Sequence, residues 1–159
     1  MEFRDVAGFA ADALGEPGAR TFLLQFYGDW GRHTYLLEKG QVAALAAGAE
    51  QLMKEIGVSA DATVAAPILI DELPRFRLAQ LALGYSEEDE QVILTLESVS
   101  EDDEPATYRV TIDQLGAAAR QGAAAVEGGR PRCPHCGLAM DPDGHACPAT
   151  NGDLRHYRA

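Results

Sequence analysis

Basic residues are scarce in this chain of 159 residues: 13 Lys and Arg stand against 25 Asp and Glu, a formal net charge of −12. That balance excludes a broad phosphate-tracking surface, and with it general DNA coating. Long apolar runs are missing too; none approaches the roughly 18 to 20 residues that span a bilayer. The opening Met1-Glu2-Phe3-Arg4-Asp5 lacks the basic-then-apolar layout of a secretory signal, so a cytoplasmic protein with no membrane partner is expected. Cysteine is limited to Cys133, Cys136 and Cys147, which leaves the first 127 residues without a thiol nucleophile or a disulfide. Tryptophan occurs once, at Trp30. Apolar material is plentiful at 47% of residues, enough to fill one core.

Charge divides the chain in two. Residues 1–127 carry 9 basic and 22 acidic side chains, whereas residues 128–159 carry 4 and 3. Gly128-Gly129-Arg130-Pro131 marks the joint, since paired glycines end a helix and proline prevents its resumption.

The acidic body reads as two copies of one unit. Val42, Leu45, Ala46, Ala49, Leu52, Met53 and Ile56 follow helical spacing and end at Gly57, a C-cap candidate; Leu115, Ala118, Ala119, Gly122, Ala125 and Val126 repeat those intervals 73 residues later. The same offset relates Phe3-Arg4 to Phe76-Arg77, Thr34-Tyr35 to Thr107-Tyr108 and Gln41-Val42 to Gln114-Leu115. Period-two runs precede each helix: Arg4 to Ala11, Thr21 to Tyr27 and His33 to Glu38, then Phe76 to Tyr85, Gln91 to Val99 and Thr107 to Thr111. The expectation is an α+β fold of tandem βββα units, halves about 3–57 and 76–127 with a linker at 58–75. Its sheet is expected to be antiparallel with two packed helices, because meanders favour that pairing.

The acidic runs Glu87-Glu88-Asp89-Glu90 and Glu101-Asp102-Asp103-Glu104 flank one strand of about nine residues, which separates them by roughly 30 Å. They read as solvated turns and not as one calcium site.

Residues 128–159 hold the strongest chemical motif. Cys133-Pro134-His135-Cys136-Gly137 is followed by a returning His145-Ala146-Cys147. Three thiolates and an imidazole suit tetrahedral Zn²⁺, so a structural zinc knuckle through Cys133, Cys136, His145 and Cys147 is expected, with His135 and His156 as alternatives for the fourth ligand. A disulfide scaffold and a redox Cys-x-x-Cys pair are the competing readings. Near the tail's end, Arg155, His156 and Arg158 add a local basic cluster.

Taken together, Gly15-Glu16-Pro17-Gly18-Ala19-Arg20-Thr21-Phe22, Leu37-Glu38-Lys39 with Gln41-Val42, and the tail from Gly129-Arg130-Pro131 to Cys147-Pro148 and Asn151-Gly152 resemble the bacterial domain-of-unknown-function family 3090. The resemblance spans essentially the whole chain and implies one intact unit; it brings no activity with it. Trp30 departs from the small or polar residues of that family at the first hairpin tip.

Constellations for catalysis are few. No Gly-x-Ser-x-Gly elbow or phosphate-cradling loop occurs. Lys39 lies where a strand enters a helix and opposes the helix dipole, so Lys39, Gln41 and Arg20 are candidates for a small anion site. The leading expectation is a non-catalytic interaction module whose zinc knuckle presents a basic tail to a protein partner or RNA. The alternatives are an enzyme acting on a small anionic or phosphorylated metabolite at the Glu38/Lys39 junction, and a tail that docks on its own acidic body, the knuckle then serving only as a staple. Trp30 reads either as an exposed contact or as a side chain folded back over the sheet edge.

Overall fold

The computed structural model describes residues 3–16, 18–58, 65–69 and 73–128. In chain order these form β1 (Phe3–Asp5), β2 (Gly8–Leu14), β3 (Thr21–Gly28), β4 (Gly31–Leu37), α1 (Lys39–Ile56), β5 (Phe76–Ser86), β6 (Gln91–Ser98), β7 (Ala106–Val110) and α2 (Ile112–Glu127). Each half supplies a meander of antiparallel strands and then a helix.

The halves are joined by parallel pairing, which corrects the expected antiparallel sheet. The strand order is β1-β7-β6-β5-β4-β3-β2. Here β1 runs parallel to β7, with Arg4 opposite Tyr108, and β5 begins parallel to β4, with Phe76 opposite Tyr35. Period-two patterning fixes which face a residue occupies but not the direction of its neighbour, so the parallel joins left no mark in the sequence.

A second correction concerns the first strand, expected as one run. The chain bends at Val6 and Ala7, whose amides donate to opposite neighbours: Val6 to Arg109 O at 3.1 Å and Ala7 to Tyr27 O at 2.7 Å. In the other half the corresponding irregularity lies between Leu78 and Gln80 of β5. Both are places where one stretch of chain changes strand partner, as bulges do. Because β1 and β2 occupy the two ends of the strand order and are only two residues apart, the sheet curls strongly.

The sheet's inner face carries Phe9, Phe22, Leu24, Phe26, Tyr35, Leu37, Val92, Leu94, Leu96, Tyr108 and Val110, all buried. Phe9, Phe26 and Tyr108 stack nearly parallel, with centroids 4.7 and 3.9 Å apart. The helices close this core and pack on each other. Leu45 is buried at 2% exposure and Leu52 is partly buried against the same cluster.

Both helices begin in the same way. Gln41 accepts from the Glu38 amide at 2.7 Å, and Gln114 accepts from the Thr111 amide at 2.8 Å. Each glutamine then donates across to the bend of the sheet, Gln41 to Leu78 O at 3.1 Å and Gln114 to Val6 O at 2.9 Å. One residue type thereby caps a helix and fixes a strand switch in each half. At its other end α1 stops at Gly57, whose φ of 72° is open to glycine.

The expected zinc knuckle finds no counterpart among the described residues. Among the described residues no group of three or more His, Cys, Asp or Glu side chains could hold a metal ion. Cys133, Cys136, His145 and Cys147 lie outside the described residues, as do His135 and the basic residues Arg155, His156 and Arg158. Among the described residues no helix is long and apolar enough to cross a membrane.

Candidate functional site

Tyr35 and Tyr108, related by the 73-residue offset, meet hydroxyl to hydroxyl at the join between the halves. Tyr108 also hydrogen-bonds His33 Nδ1 at 2.7 Å. The three groups form a relay whose protons can point either way along it. Trp30 covers the relay: its ring lies 4.4 Å from that of His33 and 5.7 Å from that of Tyr108, and its Nε1 donates to Asp5 O at 3.0 Å. Trp30 is thus the folded-back side chain of the two sequence readings, and Arg4 stacks on its ring at 5.6 Å.

The relay forms the inner wall of a cavity of about 650 Å³. Arg4 comes from β1, His33 and Tyr35 from β4, and Arg75 and Phe76 from the start of β5, with the 102–108 stretch opposite. Its inner wall is aromatic and basic; its rim, Asp102, Asp103 and Glu104, is exposed and acidic. Among the described residues neither Arg4 nor Arg75 takes part in an ion pair.

Charge inside the cavity follows from this arrangement. Burial holds the His33 imidazole at a pKa of about 4, and Arg75 and Arg4 push it the same way. At neutral pH the ring is therefore uncharged, with one nitrogen free to accept. Burial raises the Tyr108 hydroxyl far above its usual value, reinforced by its bond to Tyr35. The Tyr35 hydroxyl is raised by burial as well, against the opposing pull of Tyr108 and the two arginines. Both phenols stay protonated, so the positive field of Arg4 and Arg75 is not neutralised from within.

The sequence-derived anion candidates are used elsewhere. Arg20 donates to Ala125 O at 2.6 Å and Gly128 O at 2.7 Å, binding carbonyls at the C-terminus of α2. Gln41 is the helix cap described above, and Lys39 is exposed. Glu38 forms an exposed ion pair with Arg77 at 2.7 Å. The enzyme reading at Glu38/Lys39 is accordingly corrected: neither residue lines this cavity, nor the smaller groove of about 340 Å³ that Leu45 and Gly48 of α1 form with Leu81 and Leu83 of β5. The interaction module built on a zinc knuckle falls with the metal site.

Sequence reasoning passed over Arg4, His33, Tyr35, Arg75 and Tyr108 as a group. One signal was available: a tyrosine at the same place in both halves, with the body's lone histidine two residues before the first. A polar aromatic repeated on an inward position needs a hydrogen-bond partner, and each tyrosine supplies the other's.

A family model described as protein of unknown function (DUF3090) matches residues 1–147. The chain belongs to the DUF3090 family. The match covers the whole two-half body, so the cavity at the join lies within the family's own extent. No curated protein and no solved structure matches the chain.

Proposed function

We propose that this DUF3090 protein binds a small organic anion in the cavity at the join of its halves. The observation that carries the reading is the pair of arginines, Arg4 and Arg75, facing the same buried Tyr35/Tyr108/His33 relay without a carboxylate partner. Guanidinium groups present forked donors suited to carboxylate or phosphate. Phe76 and Pro105 offer apolar wall for the ligand's body. The acidic rim repels a second negative group, so the outer end of the ligand is neutral or cationic. An odd set of three cysteines suits a reducing compartment, and a cytoplasmic place of work belongs to the same reading.

The test is calorimetric titration with phenyl phosphate and with inorganic phosphate, on the wild type and an Arg4→Ala/Arg75→Ala double variant. Phenyl phosphate should bind the wild type more tightly than phosphate does, and neither should bind the double variant. Neutralising both arginines also removes their push on His33, so its pKa should rise from about 4 when the anion binds. Equal binding by the two proteins, or no binding by either, would sink the reading.

A further inference from the structure

The two helix-to-sheet clefts are related by the same offset, yet only one is closed. Along most of their length β2 and β5 each bond to a single neighbouring strand and turn the other edge towards a helix. At β2 that edge is sealed. Gln121 of α2 accepts from the Ala11 amide at 2.9 Å and donates to Asp12 Oδ2 at 3.4 Å. The next residue, Gly122, lets α2 come so close that a Cβ there would lie 2.9 Å from Val42 and 3.4 Å from Ala11 Cβ.

At β5 the edge is open. Leu83 takes the place of Ala11: Phe9, Ala11 and Ala13 stand opposite Phe26, Leu24 and Phe22 as Leu81, Leu83 and Tyr85 stand opposite Leu96, Leu94 and Val92. Gly48, 73 residues before Gln121, takes the place of the plug and has no side chain to reach the strand. What remains is the groove of about 340 Å³ between α1 and β5, which no charged residue lines. Gln41 holds Leu78 O and Ala79 O at its start; past Ala79 no side chain among the described residues hydrogen-bonds the β5 backbone. Leu81, Leu83 and Tyr85 thus turn their amides and carbonyls to an unfilled edge, as Ala11 turns its own to Gln121.

This edge lacks the usual guards. From Leu78 to Ser86 there is no charged residue and no proline, and Ala79, Gln80, Ala82 and Gly84 are exposed. Charge stands at the two ends, with opposite sign. At the start, Arg77 is neutralised by Glu38, which leaves the exposed Lys39 in no ion pair among the described residues. At the finish stand Glu87-Glu88-Asp89-Glu90, all exposed.

We propose that β5 pairs along this edge with β5 of a second copy, antiparallel and centred on Leu83. A strand with opposite charge at its two ends complements its own copy only when that copy is reversed; a parallel pairing would set one acidic turn against the other. In the antiparallel register Leu83 faces Leu83 and Leu81 faces Tyr85, each pair exchanging both backbone bonds. Glu87 of the second copy then falls opposite Ala79, beside Gln41 and Lys39, and the two-fold axis repeats that contact at the other end. None of these residues lines the cavity at the join.

The test is sedimentation equilibrium of the full chain at about 150 mM salt, where charges more than about 8 Å apart are largely screened. It should find monomer and dimer of the 17.0 kDa chain in equilibrium. Lys39→Glu should weaken the dimer about tenfold, and so should Glu87→Lys with Glu88→Lys, because each turns two attractive ends into repulsive ones. All three residues are exposed, so these changes leave the core intact. An equal mixture of the two variants should recover the wild-type strength, since opposite charges then meet at both ends. Raising the concentration of the wild type should slow amide exchange at Leu81, Leu83 and Tyr85. Three results would overturn the proposal: a wild type that stays monomeric at millimolar concentration, a dimer that neither variant weakens, or a mixture no stronger than its components.

Discussion

The half that ends in α2 and the half that ends in α1 share a frame and differ in what they leave open. Positions that agree across the offset build the frame: Gln41 and Gln114 cap the helices and hold the bends, and Tyr35 and Tyr108 meet at the join. Positions that disagree make the surfaces. Gln121 fills a cleft where Gly48 leaves a groove; Arg4 faces the cavity whereas its counterpart Arg77 is neutralised by Glu38; His33 joins the relay whereas its counterpart Ala106 cannot. Where two halves share one frame, the offset pairs that differ are where to search for function.

The comparison would break most plainly if the halves unfolded separately. Phe26→Ala in the first half should cost roughly 3 to 5 kcal/mol and Leu96→Ala in the second roughly 2 to 5, by loss of buried side chains. Both should shift a single calorimetric transition, because the parallel joins tie each half to the other. Two transitions, with only one moved by each variant, would mean that the joins contribute little.

Overpacking gives the next effect. Gly122→Val forces a side chain into the contact with Val42 and Ala11 and should lose roughly 1 to 3 kcal/mol in denaturant titration. Gln121→Ala strands the Ala11 amide at the edge of β2 and should lose about 1 to 2 kcal/mol. Gly48→Ala should change stability by less than about 1 kcal/mol, its gain in helix propensity opposed by Leu83, 3.2 Å from the new Cβ. If Gln121→Ala and Gly48→Ala shifted stability equally and in the same direction, the closed and open clefts would not differ as described.

The shallowest effect concerns pH, because solvent reaches the partly buried His33 and screens its charge. Its folded pKa of about 4 lies below the ordinary value of 6.5. Between those values the unfolded chain binds more protons, so stability should fall as pH drops from 6.5 towards 4 and lose nothing further from this group below that. His33→Gln should flatten that portion of the profile; an unchanged slope would place the histidine in solvent.

Both helices were legible because their stripes are long and strictly spaced, and their ends carry local chemistry: Gly57 stands in the left-handed region, and the Thr111 hydroxyl accepts from the Gln114 amide at 3.0 Å. The strands were legible as faces but not as neighbours. Nothing in Phe3-Arg4-Asp5 says that its partner is Thr107-Tyr108-Arg109, nor that the chain turns to another partner at Val6. The cavity went unread for the same reason: it is assembled at those joins from four separate stretches of chain, at 4, 33–35, 75 and 108. The zinc reading shows the opposite hazard, since it drew on local residue types and their spacing and acquired no supporting group among the described residues.

The pairing of β1 with β7 also sets a schedule. Phe3 and Thr107 are more than a hundred residues apart in the chain, and a ribosome adding roughly 5 to 20 residues per second takes about 5 to 20 seconds to cover that interval. During that time β1 has no partner of its own, and the cavity at the join has only one of its two tyrosines. Contacts so distant in sequence also slow folding once the chain is complete. The cavity at the join is therefore among the last parts of the body to exist, and a nascent chain that stops short of β7 presents neither a finished sheet edge nor a closed cavity wall.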